Sequence, residues 1–223
     1  MENIEEYKRM FLFMYRELLR HYDYFKSIHN HHKKAIENLL KKKKKKVLFE
    51  EYEFIRAQYS FYYVKIYNIL GDFQEDAISY KKLTDKGYIK KFSLKINERP
   101  ENVRALLNEY QRQRNWASHF SIADGRAKTQ DLNIVNDNGQ IRIDTPKYVD
   151  LALFIDQYHA NQAELENIKL IEKYILDDYF SIFKKKIKVK RKKYRMIGTN
   201  ALEISYKSYK YSKTSKHSKA KKK

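Results

Sequence analysis

Apolar residues recur along most of the chain at steps of three and four, the period of an amphipathic helix. Ile4, Tyr7, Phe11, Met14, Leu18, Tyr22 and Phe25 form the first such stripe and predict a helix of roughly seven turns. Leu48, Tyr52, Ile55, Tyr59, Tyr62, Ile66 and Ile69 predict a second long helix that runs up to Gly71. A shorter helix is expected over 73–92, with Phe73, Ala77, Tyr80 and Leu83 facing inward. Pro100 suits the first turn of another, which carries Val103, Leu106, Leu107 and Tyr110 and runs to about Ile122, with Gly125 as its terminator.

The periodicity then changes. Two short alternating runs flank Asn138-Gly139 within 131–144, the pattern of a tight β-hairpin. Thr145-Pro146 reads as an N-cap followed by proline at the first helical position. A last long helix, in one piece or two, is expected to reach about Phe183, with Leu151, Ile155, Tyr158, Leu165, Ile168, Ile171 and Ile175 inward. The predicted class is all-α: an up-and-down bundle of four to five helices with a small β-hairpin insertion. With only five glycines and two prolines as punctuation, long helices are the natural outcome.

Charge divides the chain in two. Of the formal +20, residues 184–223 carry +16, from 17 Lys and Arg against the single acid Glu203. Residues 1–183 therefore read as a globular bundle and 184–223 as a lysine-rich tail, expected to be largely disordered. A polycation of this kind seeks a polyanion. The tail sets Tyr206, Tyr209 and Tyr211 among its lysines, a pairing that suits phosphates and unpaired bases. Lys190, Arg191, Lys192 and Lys193 are its densest candidate RNA contacts. A purely solubilising tail is the alternative. No apolar face is available for membrane insertion, no run is long enough to span a bilayer, and the acidic N-terminus lacks a signal-peptide layout. A cytoplasmic setting and no membrane partner are expected. The run Lys41–Lys46 cannot pack in a core without burying unpaired charge, so it is expected as an exposed turn or a projecting helix end, with an RNA-contacting rim as the alternative.

Several chemistries are excluded or disfavoured. The chain has no cysteine, hence no thiol catalysis and no disulfide. It has no glycine-rich phosphate loop. His29, His31 and His32 do not share one helical face and adjoin Lys33 and Lys34, so they are expected as exposed histidines near a turn, not as metal ligands. No metal site and no cofactor are expected.

One segment gathers groups with chemistry to offer: QRQRNWASHF, residues 111–120. Asn115 and His119, four apart, share a helix face, while Arg114 lies about 140° around from His119 with a stem long enough to close part of that angle. Spacing alone favours a plainer reading, in which Arg114 pairs with an acid, His119 is a surface residue and Trp116 packs the core.

The R-N-x-x-x-H pattern of Arg114, Asn115 and His119 resembles the R-x4-6-H signature of the HEPN superfamily, small helical-bundle proteins that include ribonucleases. The motif spans six residues, and the helical layout extends the resemblance over roughly 1–183. The hairpin and the tail lie outside it. Some family toxins continue as R-x4-H-x-Y, whereas here the residue two beyond His119 is Ser121, which sets that mode of control aside. The resemblance implies a metal-independent endoribonuclease acting as a prokaryotic toxin or antiviral-defence effector, with Arg114, Asn115 and His119 catalytic. It also implies a homodimer that brings two motifs together, and a possible cognate antitoxin or regulatory protein.

The chemistry is coherent. RNA supplies its own 2′-OH nucleophile, His119 can move protons near neutral pH, and Arg114 can offset the charge of the pentacoordinate phosphorus. Arg112, Arg126 and Lys128 flank the motif as candidate RNA contacts. Glu51, Glu53, Asp72 and Glu109 are all open as supporting acids. The alternative function is a noncatalytic helical RNA-binding protein that works through its tail.

Overall fold

The computed structural model describes residues 3–118 and 146–190, and it is mostly helical with a small two-stranded antiparallel sheet. The chain divides into two units, Met1–Lys186 and Ile187–Lys223. In the first, the described elements follow the order α1 (Ile4–Lys41), β1 (Lys46–Leu48), α2 (Phe49–Gly71), α3 (Tyr80–Leu83), α4 (Lys86–Lys91), α5 (Glu101–Ser118), β2 (Tyr148–Asp150) and α6 (Leu151–Phe183). Of the second unit only 187–190 are described. They form no regular structure, and Lys190 is exposed.

Helix α1 begins at Asn3, whose side chain accepts the Glu6 amide at 2.9 Å, an N-cap that satisfies one of the orphan donors of the first turn. Its buried stripe includes Tyr7, Phe11, Met14, Leu18, Tyr22 and Phe25, while Ile4 is 40% exposed, contrary to its inward assignment. The helix runs well past the stripe expected from apolar residues, because His29, His32 and Ile36 extend it at the same period.

That extension corrects the reading of the histidines. His29 and His32 are buried in mid-helix, and only His31 is exposed. His32 Nδ1 lies 3.3 Å from the Tyr59 hydroxyl, which lies 3.4 Å from His29 Nδ1, and His29 Nε2 lies 3.0 Å from Gln162 Oε1. The His29 ring stacks on Tyr158 at 4.2 Å. Burial holds His32 neutral, with its pKa lowered to about 4, so these rings serve as polar packing where α1, α2 and α6 meet. Among the described residues no cluster of three potential ligands could hold a metal ion.

The lysine run is an exposed turn: α1 stops at Lys41, Lys43 takes a positive φ of 51°, and all six side chains face solvent. The turn leads into the sheet, in which Val47 pairs with Val149, Lys46 with Asp150 and Leu48 with Tyr148. This strand pair differs from the hairpin expected at 131–144, which lies outside the described residues, as does Gly125. Leu48 belongs to the strand and is 48% exposed, not part of the α2 core stripe. Pro146 does not open a helix either: β2 intervenes, and α6 starts behind Asp150. The outcome makes physical sense, since the Phe49 amide bonds to the Lys147 carbonyl and the Leu151 amide to the Lys45 carbonyl, clamping the first turns of α2 and α6 together.

Helix α6 is unbroken and ends at Phe183, capped by Lys184 in the left-handed region at φ 54°. The segment 73–92 is not one helix. A loop follows Asp72, and the short helices α3 and α4 start just after Ser79 and Asp85, whose side chains accept the Lys82 and Gly87 amides. Two local N-caps thus override a continuous helix. Tyr80 and Leu83 are buried as expected, whereas Phe73 points outward. None of the described helices is long and apolar enough to cross a membrane.

Candidate functional site

Helix α5 starts immediately after Pro100, whose carbonyl accepts the Val103 and Arg104 amides. Val103, Leu107 and Tyr110 form its buried face. Tyr110 stacks on Tyr67 of α2 at 5.1 Å. The Glu164 carboxyl of α6, among Tyr63, Tyr67 and Tyr110, is pushed up to about 7 by burial. This interior packing fixes the rotation of α5 and thereby the direction of its polar residues.

Gly71, the last residue of α2, lies directly against the α5 backbone. A Cβ there would lie 2.5 Å from the Gln111 nitrogen and 2.6 Å from the Tyr110 carbonyl carbon. Backbone atoms cannot swing aside as side chains do, so glycine permits the contact. Replacing an exposed helical glycine with alanine ordinarily stabilises by about 0.4–1 kcal/mol. Here we expect the opposite sign: Gly71→Ala should lower unfolding stability by about 1–3 kcal/mol, as overpacking does, read from the shift of the denaturation midpoint. An unchanged or raised midpoint would contradict this packing.

The contact places Asp72, the next residue, against α5. Asp72 Oδ2 lies 3.2 Å from Arg114 Nη2, and Arg114 Nη1 donates to Asn115 Oδ1 at 3.2 Å. Asp72 Oδ1 accepts the Gln74 amide at 3.0 Å, and the Asp72 carbonyl accepts from the buried Ser79 hydroxyl. Both carboxylate oxygens are therefore engaged, which makes Asp72 a positioning group for the guanidinium. Of the four acids left open by the sequence, Asp72 is the one paired with Arg114. Glu109 instead binds Arg112 and Gln113 at 2.6–2.9 Å, and the hydrogen bond from Arg112 holds its carboxyl below the usual range. Glu53 pairs with Arg56.

Arg114 and Asn115 are thus brought together, and the Arg114 side chain is 14% exposed. Arg112 projects into solvent on the Glu109 pair. His119, Arg126, Lys128, Arg191, Lys192 and Lys193 lie outside the described residues, as does the side chain of Trp116.

Sequence reasoning missed Lys81 of α3. Its ammonium donates to Asn108 Oδ1 at 2.7 Å and to Gln111 Oε1, and burial lowers its pKa. Lys81 and Lys82 lie 6.0 and 5.0 Å from the centre of the Phe73 ring, which is 40% exposed. The Ser79 N-cap signal could have located this helix start, but nothing in the sequence places it against α5. Comparison with family models, curated proteins and solved structures finds no match.

Proposed function

We propose that this protein is a metal-independent endoribonuclease with an HEPN-like bundle, in which Arg114, Asn115 and His119 act on RNA. The observation that carries the reading is the setting of the R-N-x-x-x-H segment: Asp72, at the end of α2, anchors Arg114 beside Asn115 on the polar side of α5. A long cation on a flexible stem becomes useful to a phosphate once its head group is held in place. The formal charge of +20 supplies long-range attraction for a polyanion.

In the proposed reaction the substrate's 2′-OH attacks the adjacent phosphorus, and the 5′-oxygen leaves. The products are a 2′,3′-cyclic phosphate and a 5′-hydroxyl. His119 moves the protons, and Arg114 offsets the charge that develops on the phosphoryl oxygens. Asn115 orients the guanidinium through its side-chain carbonyl. One imidazole cannot serve easily as base and acid in the same event, so a homodimer with two motifs facing each other is part of the proposal. A cytoplasmic toxin or antiviral-defence role, with a cognate antitoxin or regulatory protein, follows from the same resemblance.

A second reading is favoured by a specific observation: Arg114 is mostly buried and bound to Asp72 and Asn115, as a structural arginine would be. The chain would then be a noncatalytic RNA-binding protein. Incubating the purified protein with total cellular RNA plus EDTA, alongside His119→Ala, separates the two. Metal-independent cleavage lost in the variant supports the ribonuclease. RNA binding with no cleavage in either protein supports the second reading.

Both readings give the tail an electrostatic role. Deleting 184–223 removes +16 of the +20 charge. RNA affinity should fall and its dependence on salt should flatten, because fewer counterions are released on binding. Equal affinity with an equal salt slope would make the tail a solubility device.

A further inference from the structure

A closed circuit of contacts borders the Arg114 pair. Asp72 holds Arg114 of α5. One turn earlier on that helix Gln111 accepts from Lys81, Lys81 lies near the Phe73 ring, and Phe73 is bonded directly to Asp72. Asn108, a further turn back, accepts from Lys81 as well. The circuit joins two cations, neutral amides and an exposed aromatic ring within a few side-chain lengths of the proposed reaction centre.

The charge balance is uneven. Lys81 donates to two neutral amide oxygens, and among the described residues no carboxylate pairs with Lys81 or Lys82. The only acid in the circuit, Asp72, is spent on Arg114 and on the Gln74 amide. Lys81 therefore keeps an uncompensated charge in a partly desolvated position, where an added anion is attracted more strongly than at an open surface. The loop that carries Phe73 is tied at both ends of its turn: the Ser79 hydroxyl bonds to the Asp72 carbonyl, and the Ala77 amide bonds to the Gln74 carbonyl at 3.1 Å. An aromatic ring exposed on a tied loop, with one ammonium group over it at 5.0 Å and a second at 6.0 Å from its centre, offers the ring surface left open as a stacking platform with phosphate contacts alongside.

We propose that Phe73, Lys81 and Lys82, backed by Asn108 and Gln111, form a subsite for one unpaired nucleotide, with the base stacked on Phe73 and its phosphate held by the two lysines. The inference rests on the RNA reading above and extends it. This nucleotide would lie next to the one whose phosphate reaches Arg114, so single-stranded RNA is threaded past the end of α2. Stacking accepts any base, so the subsite sets strandedness and position in place of sequence.

The test uses the full chain and a fluorescent single-stranded oligonucleotide with 2′-O-methyl groups throughout, which cannot supply the attacking hydroxyl. Phe73→Ala should weaken binding about tenfold, and Phe73→Tyr should leave it close to wild type. Because Phe73 is exposed, neither change should affect folding, and a thermal melt verifies this. With an oligonucleotide that lacks its bases, Phe73→Ala should have no effect. Lys81→Gln should make the plot of log affinity against log salt shallower by about 0.7, the loss of one phosphate contact to a single strand. Wild-type binding with no change in Phe73→Ala or Lys81→Gln would overturn the subsite and leave the RNA reading standing. Failure of the wild-type protein to bind the oligonucleotide would overturn both.

Discussion

Replacing His119 with alanine is expected to reduce RNA cleavage by on the order of 10³-fold or more, with the fold intact and RNA affinity little changed. The expectation follows from what the proposed reaction requires. The 2′-OH must lose a proton as it attacks, and the leaving 5′-oxygen must gain one. Among the residues of the motif, only an imidazole exchanges protons near neutral pH. Arg114→Lys should be almost as damaging, although it conserves charge. A guanidinium reaches Asp72 with one nitrogen and Asn115 with the other, whereas a lysine ammonium is a single point that cannot hold both and still face a phosphate. Cleavage should persist in EDTA, a single 2′-deoxy substitution should block the bond that follows it, and the 5′ fragment should end in a cyclic phosphate. Full activity in His119→Ala would remove the mechanism proposed for this motif, as would cutting of DNA.

The long helices were legible because their apolar stripes are continuous. Ile55, Tyr59 and Ile66 in α2, and Leu165, Ile168, Ile171 and Ile175 in α6, face the core as their spacing predicts. Where the stripe passes through residues usually counted as polar, the reading failed. His29 and His32 are buried because Tyr59 and Gln162 offer them hydrogen-bond partners, and no partner on another helix can be read from a local pattern. The segment 73–92 failed for a different reason: a three- and four-residue spacing was present, but Ser79 and Asp85 bind backbone amides locally and restart the helix twice. The sheet was missed because its strands have three residues each and are separated by about a hundred positions, far beyond the reach of any periodicity.

The candidate site divides along the same line. Arg114 and Asn115 were singled out through the resemblance of their motif, and as neighbours on one helix their contact is local. Their supporting acid could not. Asp72 was one of four candidates with nothing to rank them, and it is selected by the close approach of Gly71 to the α5 backbone. That approach is a tertiary fact. Lys81 was invisible for the same reason, since Gln111 and Asn108 meet it only after the bundle has closed.

Closure of that bundle depends on a buried ionic knot, and its removal is the largest stability change we expect. Asp178 of α6 is 1% exposed. Its Oδ2 accepts from Arg99 Nη2 at 2.8 Å and from the Tyr80 hydroxyl at 2.6 Å, while the Arg99 guanidinium lies 4.6 Å from the centre of the Tyr80 ring. The knot joins α6 to the first residue of α3 and to the segment that leads into α5. Asp178→Ala leaves the Arg99 charge and the Tyr80 hydroxyl buried without their acceptor, which should cost about 3–5 kcal/mol, a large share of the roughly 5–15 kcal/mol available to a domain. Asp178→Asn should cost less, because an amide oxygen can still accept from Tyr80. The double variant Arg99→Met, Asp178→Leu should be more stable than Asp178→Ala, since it buries no unpaired charge. Urea unfolding of the three proteins checks this ranking. Because α3 carries Lys81 and the tied segment feeds α5, RNA binding and cleavage should decline with the knot and return in part with the apolar pair. Unchanged stability in Asp178→Ala would show that Arg99 reaches water or another partner once the carboxylate is gone, and that the knot does not hold these elements together.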